Sequence, residues 1–215
     1  TILFPIAGGT PERLPVVGGD IDSWGGELNN FLLVSHKADG TLTLVANVQS
    51  FVTGGAGTDA DPWTGWATSI TALASPVTIV WPAGVYANPG LTFTNKTNVH
   101  LWGYGATLKL TAGANKDSLR FFGGTDCSAR GFIIDGNSAN QSAGTEVIGG
   151  IGITVDLGVG AALYDGIRCV LEDLVIRDTK SHGLALAEAT SVTFVENKLL
   201  SNRTSNSGKK GLWVY

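Results

Sequence analysis

The fold is decided by the stretch Gly131-Phe132-Ile133-Ile134-Asp135-Gly136-Asn137, in which a Gly corner leads into an apolar strand that leaves through Asp and Asn. Residues 173–178 (DLVIRD) and 197–202 (NKLLSN) share this order of polar corner, apolar strand and polar exit. Short strands that recur at a fixed spacing are typical of solenoids, in which each unit buries its apolar face only by stacking on its neighbours. The pattern predicts a parallel β-solenoid over residues 98–215.

A second set of strands lies between the members of the first. Residues 150–155 (GIGITV), 183–186 (GLAL) and 211–215 (GLWVY) each open on Gly and then alternate apolar residues. The intervals from Gly183 to Gly211 and from Val175 to Leu199 predict a coil of roughly 24 to 28 residues, within the range of solenoid repeats. The interval from Ile133 to Val175 is much longer than one such coil, which predicts an insertion over residues 138–165.

The two cysteines give a test of this register. Cys127 stands five residues before Phe132, and Cys169 stands five before Leu174. Both are therefore expected at equivalent sites on adjacent coils. Two cysteines are too few for a disulfide scaffold, and buried apolar thiols are favoured over a bridge, although both alternatives stay open.

Composition limits the possible partners. The chain has 215 residues, 30 Gly, 15% charged residues and a net charge of −4. This balance argues against nucleic acid, because phosphate binding needs clustered Lys and Arg. We expect no membrane span and no secretory leader, since no apolar run is long enough for either. The chain does not begin with Met, so we expect a processed or incomplete N-terminus.

The N-terminal region differs from the repeats. Residues 8–20 are rich in Pro and Gly and predict an irregular arm. Residues 22–36 follow as a predicted amphipathic helix, and then come a turn at 39–40 and a strand at 41–48. The apolar face of the helix packs either on the base of the solenoid or on copies of itself in an oligomer. Its members are Trp24, Leu28, Phe31 and Leu32.

Part of this region resembles a known module. Residues 14–20 (LPVVGGD), 22–25 (DSWG), the apolar run within 28–36 and residues 39–42 (DGTL) are similar to the N-terminal module of phage tail fibre and tail-spike-like proteins. The resemblance implies attachment to tail or baseplate proteins, a homotrimer, and a place in the virion. It also implies that the four apolar helix residues serve oligomerisation or attachment.

A second resemblance covers the remainder of the chain. A Gly/Asp loop at 53–59, a helical run at 67–73, the strand and turn at 77–86 (VTIVWPAGVY) and a first coil at 98–108 are similar to the opening of the pectate-lyase-like superfamily. This implies an all-β, right-handed parallel β-helix whose first coil is covered by the helix with Trp63 and Trp66. We predict three regions, an attachment module (1–50), a cap (51–97) and the coils (98–215), and expect the coils to continue beyond 215.

Carbohydrate-cleaving β-helices work with carboxylates on an outer face, where one acid protonates the leaving oxygen and another group activates water or abstracts a proton. The weak catalytic candidates are Asp135, Asp178, Glu188 and His182, with Glu146, Asp156 and Asp165 on the insertion. Asp135 and Asp178 also suit corner hydrogen bonds, which favours a structural role for both. His182-Gly183 resembles an element of polygalacturonase-like enzymes, but the other elements of that family are absent.

Trp102 and Tyr104 are candidate glycan-binding residues, because aromatic rings stack on sugar rings. The alternative is that both residues fill the interior of a coil. No metal-ligand cluster and no cofactor site is expected. The favoured hypothesis is a virion tail fibre or tail-spike component that contacts host-surface polysaccharide. The alternatives are a secreted, extracellular polysaccharide lyase or glycoside hydrolase, and a structural virion spacer. The residues leave the assignment as an enzyme undecided.

Overall fold

The computed structural model describes residues 3–4, 12–13, 35–36, 42–142, 161–187, 196–209 and 211–214. The chain divides into two compact units, Thr1–Val45 and Ala46–Tyr215. In the first unit, β1 (Leu3–Phe4) pairs antiparallel with β2 (Glu12–Arg13), and β3 (Ser35–His36) pairs antiparallel with the first residues of β4 (Leu42–Asn47).

The prediction of the N-terminal helix is wrong at its C-terminal end. Ser35 and His36 form a strand, and His36 pairs with Leu42, so the helix predicted to end near His36 cannot extend that far. An Asp-Gly sequence such as the one at 39–40 favours a hairpin, in which the residues before it pair as a strand. Strand β4 confirms most of the strand predicted over 41–48. The rest of the predicted helix, with Trp24, Leu28, Phe31 and Leu32, lies outside the described residues.

The described part of the second unit consists of five coils, each of which gives one strand to each of three sheets. The first sheet holds β5 (Val77–Val80), β8 (Val99–Trp102), β11 (Ser128–Arg130), β14 (Val170–Glu172) and β17 (Lys198–Leu200). The second holds β6 (Gly84–Asn88), β9 (Ala106–Leu110), β12 (Ile133–Asp135), β15 (Val175–Thr179) and β18 (Arg203–Ser207). The third holds β7 (Leu91–Thr94), β10 (Leu119–Phe122), β13 (Ala161–Tyr164), β16 (Leu184–Ala187) and β19 (Leu212–Val214).

Each coil strand pairs in parallel with the equivalent strand of the next coil, which defines a parallel β-helix. Parallel strands joined by crossovers wind right-handed in nearly all proteins because of the twist of each strand. We assign the right-handed sense on that ground. The all-β, right-handed parallel β-helix predicted from the sequence is confirmed.

The interior of the β-helix is built from ladders of similar side chains. Val99 and Leu101 of β8 are buried, whereas Trp102 is 47% exposed, because successive residues of a strand face opposite sides. In the third sheet, Phe93 and Phe121 lie in register, with ring centroids 5.5 Å apart. Similar residues therefore meet similar residues from coil to coil, as the repeat pattern requires.

A short helix covers the first coil. Helix α1 (Ala67–Ala72) carries the buried Ile70 and is preceded by the fully buried Trp66. The Trp66 ring packs edge-on against Trp81, at 6.0 Å between centroids, and against Tyr86, at 5.7 Å. The predicted cap thus closes on the aromatic interior of coil 1. Two 3₁₀ helices complete the described elements, Val48–Phe51 and Ser138–Asn140.

The predicted register is right at two places and wrong at a third. Ile133 pairs with Val175, and Leu184 pairs with Leu212, as the two strand sets require. Val175, however, pairs with Arg203 and not with Leu199. The segment 197–202 belongs to the first sheet, where β17 stacks on β14. Each coil has several corners that lead from polar residues into an apolar strand, so the pattern alone did not distinguish which corner a segment follows.

The long coil also differs in detail from its prediction. Residues 150–155, expected as its second strand, lie outside the described residues. The strand that stacks between β10 and β16 is β13, which falls inside the stretch predicted as an insertion. The insertion therefore precedes β13.

The cysteine prediction is confirmed. Ser128 pairs with Val170, which places Cys127 and Cys169 at equivalent corner positions of coils 3 and 4. Both are buried, unbridged thiols. The pKa of the Cys127 thiol is raised, first by its hydrogen bond with the Cys169 thiol and then by burial. Cys127 therefore remains a neutral thiol, which suits a packed interior.

Candidate functional site

The structure brings Asp135 and Asp178 together, but around an arginine. Arg177 donates to Asp135 Oδ2 from Nη2 at 3.1 Å, and its Nε lies 4.0 Å from Asp178 Oδ2. Asp135 Oδ1 also accepts the backbone N–H of Asn137 at 2.9 Å, and Asp178 accepts the side-chain amide of Asn206. These partners hold both carboxylates in position on the second sheet. They agree with the structural role that the sequence analysis favoured for Asp135 and Asp178.

The other catalytic candidates do not join this pair. His182 is 2% exposed and lies in the buried corner between β15 and β16, and Asp165 is 3% exposed. Burial of this extent keeps both side chains away from a polymer on an outer face. Glu188, Glu146 and Asp156 lie outside the described residues.

Trp102 and Tyr104, in contrast, both face solvent, with 47% and 63% of their surface exposed. Trp102 points outward because the inward positions of β8 are taken by Val99 and Leu101. Tyr104 stands in the corner between β8 and β9. Two aromatic rings so close in sequence and so exposed form the kind of surface that marks a binding site.

The corner that carries Tyr104 is longer than the same corner in the next coil. Trp102 pairs with Arg130 and Thr107 pairs with Ile133, so four residues lie between the paired positions in coil 2 and two in coil 3. The additional length lets Tyr104 lean over coil 3. A Cβ at Gly131 would lie 2.5 Å from Tyr104 Cδ1. The Tyr104 ring can therefore occupy this position only because residue 131 has no side chain.

Charged side chains of coils 3 and 4 continue this surface. Arg130 follows Trp102 in the outward ladder of the first sheet, and Glu172 follows Arg130. Arg130 Nε lies 3.1 Å from Glu172 Oε2. The Tyr104 hydroxyl donates to Asp173 Oδ2 at 3.4 Å. We call Trp102, Tyr104, Arg130, Glu172 and Asp173 the first-corner patch.

A histidine borders the patch on the first sheet. His100 Nδ1 lies 3.0 Å from Ser128 Oγ, and the side chain is partly buried. Burial and the nearby Arg130 guanidinium lower the pKa of His100. The imidazole is therefore neutral near pH 7 and adds no positive charge beside the patch.

The first-corner patch contains two kinds of side chain that can contact sugars. Exposed indole and phenol rings can stack on the apolar faces of pyranose rings, while carboxylate and guanidinium groups can hydrogen-bond hydroxyls. Arg130, Glu172 and Asp173 were not among the residues that the sequence singled out. Placing coils 2, 3 and 4 in register, with Trp102 over Arg130 and Arg130 over Glu172, is the signal that would have found them.

The described ranges offer neither a metal-ligand cluster nor a membrane-spanning helix. These residues contain no group of three or more His, Cys, Asp or Glu side chains placed to hold a metal ion. None of the helices in this part of the chain has the length and hydropathy needed to cross a bilayer.

Comparisons with known proteins concern mainly the fold. No family model matches the chain, and no curated protein matches it significantly. Among solved structures, the A-module of a mannuronan C-5 epimerase from Azotobacter vinelandii matches with 18% identity and a TM-score of 0.38. The match covers 78% of this chain and 59% of that module. The chain is therefore similar to part of the epimerase module at low identity.

Proposed function

We propose that this chain binds polysaccharide through the first-corner patch, as a tail fibre or tail-spike component of a phage or phage-like particle that contacts host-surface glycan. The observation that carries the binding proposal is the pair of exposed rings, Trp102 and Tyr104, set beside the charged ladder of Arg130 and Glu172. Large exposed aromatic residues rimmed by polar groups mark interaction surfaces.

The particle role is supported by the resemblance of residues 14–42 to tail-fibre modules. In this proposal the chain forms a homotrimer through Trp24, Leu28, Phe31 and Leu32 and meets tail or baseplate proteins through the same region. A free polysaccharide lyase or hydrolase is the second candidate. Among the described residues, however, Asp135 and Asp178 are tied to Arg177 and to corner groups, so this pair is not free to act as acid and base.

Glycan binding is tested with the double variant Trp102→Ala/Tyr104→Ala on a glycan array, followed by affinity electrophoresis with the polysaccharide that binds. Loss of two stacking rings should weaken binding about 5- to 150-fold, since such contacts contribute about 0.5–1.5 kcal/mol each. The matched control is Leu212→Ala, which removes a half-exposed apolar side chain from the third sheet. Equal binding by the double variant and the wild type would refute the patch.

The particle role needs a separate measurement. Native mass spectrometry of the full chain should give a trimer, and Phe31→Glu should dissociate it, because a charge in an apolar oligomer interface is costly. Thr94→Glu, at an exposed end of β7, is the control and should leave the trimer intact. A monomeric wild type that releases reducing ends from a polysaccharide would favour the enzyme instead.

A further inference from the structure

We propose that the first-corner patch recognises an uncharged glycan, and that the pairing of Arg130 with Glu172 keeps anionic sugars out. This inference rests on the proposed glycan-binding function and adds the class of ligand.

The cation of the patch is already paired. Arg130 Nε lies 3.1 Å from Glu172 Oε2, and Arg130 stands between Trp102 and Glu172 in the outward ladder. A uronate, sulfate or sialate stacked on Trp102 would have to compete with Glu172 for this guanidinium. Glu172 is held on the adjacent strand, roughly 4.8 Å away, so it has the advantage of proximity.

A second carboxylate adds to the negative charge. Asp173 follows Glu172 and accepts the Tyr104 hydroxyl at 3.4 Å. The patch therefore combines one arginine with two acidic residues, and an anionic sugar beside Tyr104 would meet a like charge. Like charges brought together in an interface select against the wrong ligand.

His100 and Lys198 do not supply a positive charge at Trp102. His100, next to the patch, has its pKa lowered by burial and by Arg130, and is neutral at pH 7. Lys198 lies on the first sheet of coil 5, one coil beyond Glu172 and three coils from Trp102. Three strand spacings amount to roughly 14 Å, which places Lys198 beyond the screening length of about 8 Å from Trp102 but not from Glu172.

The hydroxyl groups of a neutral sugar can hydrogen-bond to the charged residues of the first-corner patch. The free lone pairs of Glu172 and Asp173 accept hydrogen bonds from neutral sugars, and the remaining N–H groups of Arg130 donate them. The rings of Trp102 and Tyr104 contact the apolar sugar faces. Two strand spacings separate coil 2 from coil 4, so the surface is long enough for more than one sugar ring.

The test uses the full chain on an array that carries neutral, uronate-containing, sialylated and sulfated oligosaccharides. Wild type should bind neutral glycans and bind anionic ones at least tenfold more weakly. Glu172→Gln frees Arg130 and should raise binding to anionic glycans about threefold at low salt, in line with the energy of an exposed ion pair. The increase should disappear at high ionic strength, because salt screens the attraction between Arg130 and the anionic glycan.

Glu196→Gln is the matched control, because it removes the same charge from an exposed residue at the corner that leads into β17. It should leave both glycan classes unchanged. A wild type that prefers anionic glycans, with binding lost in Trp102→Ala/Tyr104→Ala, would overturn the inference and leave the proposed function standing. An unchanged preference in Glu172→Gln would overturn the role of the Arg130 pair. Failure to bind any glycan would refute the proposed function, and this inference with it.

Discussion

Single residues decide whether adjacent coils can approach each other. Gly103 follows β8 at the first corner, and a Cβ there would lie 2.1 Å from Cε1 of Phe132. The Phe132 ring in turn packs edge-on against Trp81 of coil 1, with centroids 5.2 Å apart. Gly103 therefore lets rings of coils 1 and 3 meet across coil 2, and it does so by lacking a side chain.

We expect Gly103→Ala to destabilise the fold by about 1–3 kcal/mol, the usual cost of overpacking a filled core. Urea unfolding followed by tryptophan fluorescence measures this change. In a Phe132→Leu background the ring is absent, so the same Gly103→Ala change should cost clearly less. An equal cost in both backgrounds would show that backbone conformation, and not the Phe132 ring, sets the requirement for Gly.

At the scale of elements, the cap and the corners hold the coils in place. Helix α1 has six residues, too few for stability alone, so its helical state depends on the burial of Trp66 and Ile70. The corner before the first sheet is held differently. There Arg168 donates to both carboxylate oxygens of Asp126 at 2.7 Å, which ties coil 4 to coil 3.

Trp66→Ala should destabilise the β-helix by about 3–5 kcal/mol, because it removes a fully buried ring that contacts Trp81 and Tyr86. Guanidinium unfolding followed by circular dichroism gives the value. Ser69→Ala changes an exposed residue of the same helix and should stay within about 0.5 kcal/mol of wild type. A small effect of Trp66→Ala would mean that the cap adds little to the stability of coil 1.

The Asp126 corner predicts a pH dependence. The hydrogen bond from Arg168 lowers the pKa of Asp126 in the folded state. The unfolded chain, with an aspartate pKa of about 3.9, then takes up the proton first, so the pairing stabilises the fold above that pH and its contribution is lost as the pH falls through the folded pKa.

Asp126→Asn should consequently be slightly less stable than wild type at pH 7, and the difference should shrink below about pH 4. Urea unfolding at pH 7, 5 and 3 tests this, with the exposed Asp61→Asn as the control. A difference that grew as the pH fell would contradict the direction of the pKa shift.

For the whole molecule, the stability of a coil depends on the coils on both sides of it. Ile134 of coil 3 is fully buried and lies in register with Leu108 and Ile176, whereas Leu200 lies at an outward position, in register with Glu172, and is 42% exposed. The same truncation should therefore have unequal effects at the two places.

Ile134→Ala should cost about 2–5 kcal/mol, and Leu200→Ala should cost about 0.5 kcal/mol or less. Thermal and urea unfolding of the full chain measure both. Equal losses would contradict the view that burial between neighbouring coils is the main stabilising term.

The recurring strands, their parallel stacking and the equivalence of Cys127 and Cys169 could be predicted from the sequence alone. These predictions follow from the local alternation of apolar and polar residues and from the number of residues between repeated segments. They need no knowledge of contacts between distant parts of the chain. The cap helix with Trp63 and Trp66 was also predicted, through the resemblance of this region to the opening of pectate-lyase-like proteins.

The corner that each strand follows, and the side chains that meet on the outer surface, could be seen only in the folded chain. Val175 pairs with Arg203 because of the length of each corner, a property that similar apolar runs do not encode. The first-corner patch joins Trp102, Arg130 and Glu172 from three successive coils, which are distant in the sequence, so it exists only once the register is fixed. An outward position carries little apolar pattern, since solvent tolerates many residues there, and its meaning comes from its neighbours on the next coil.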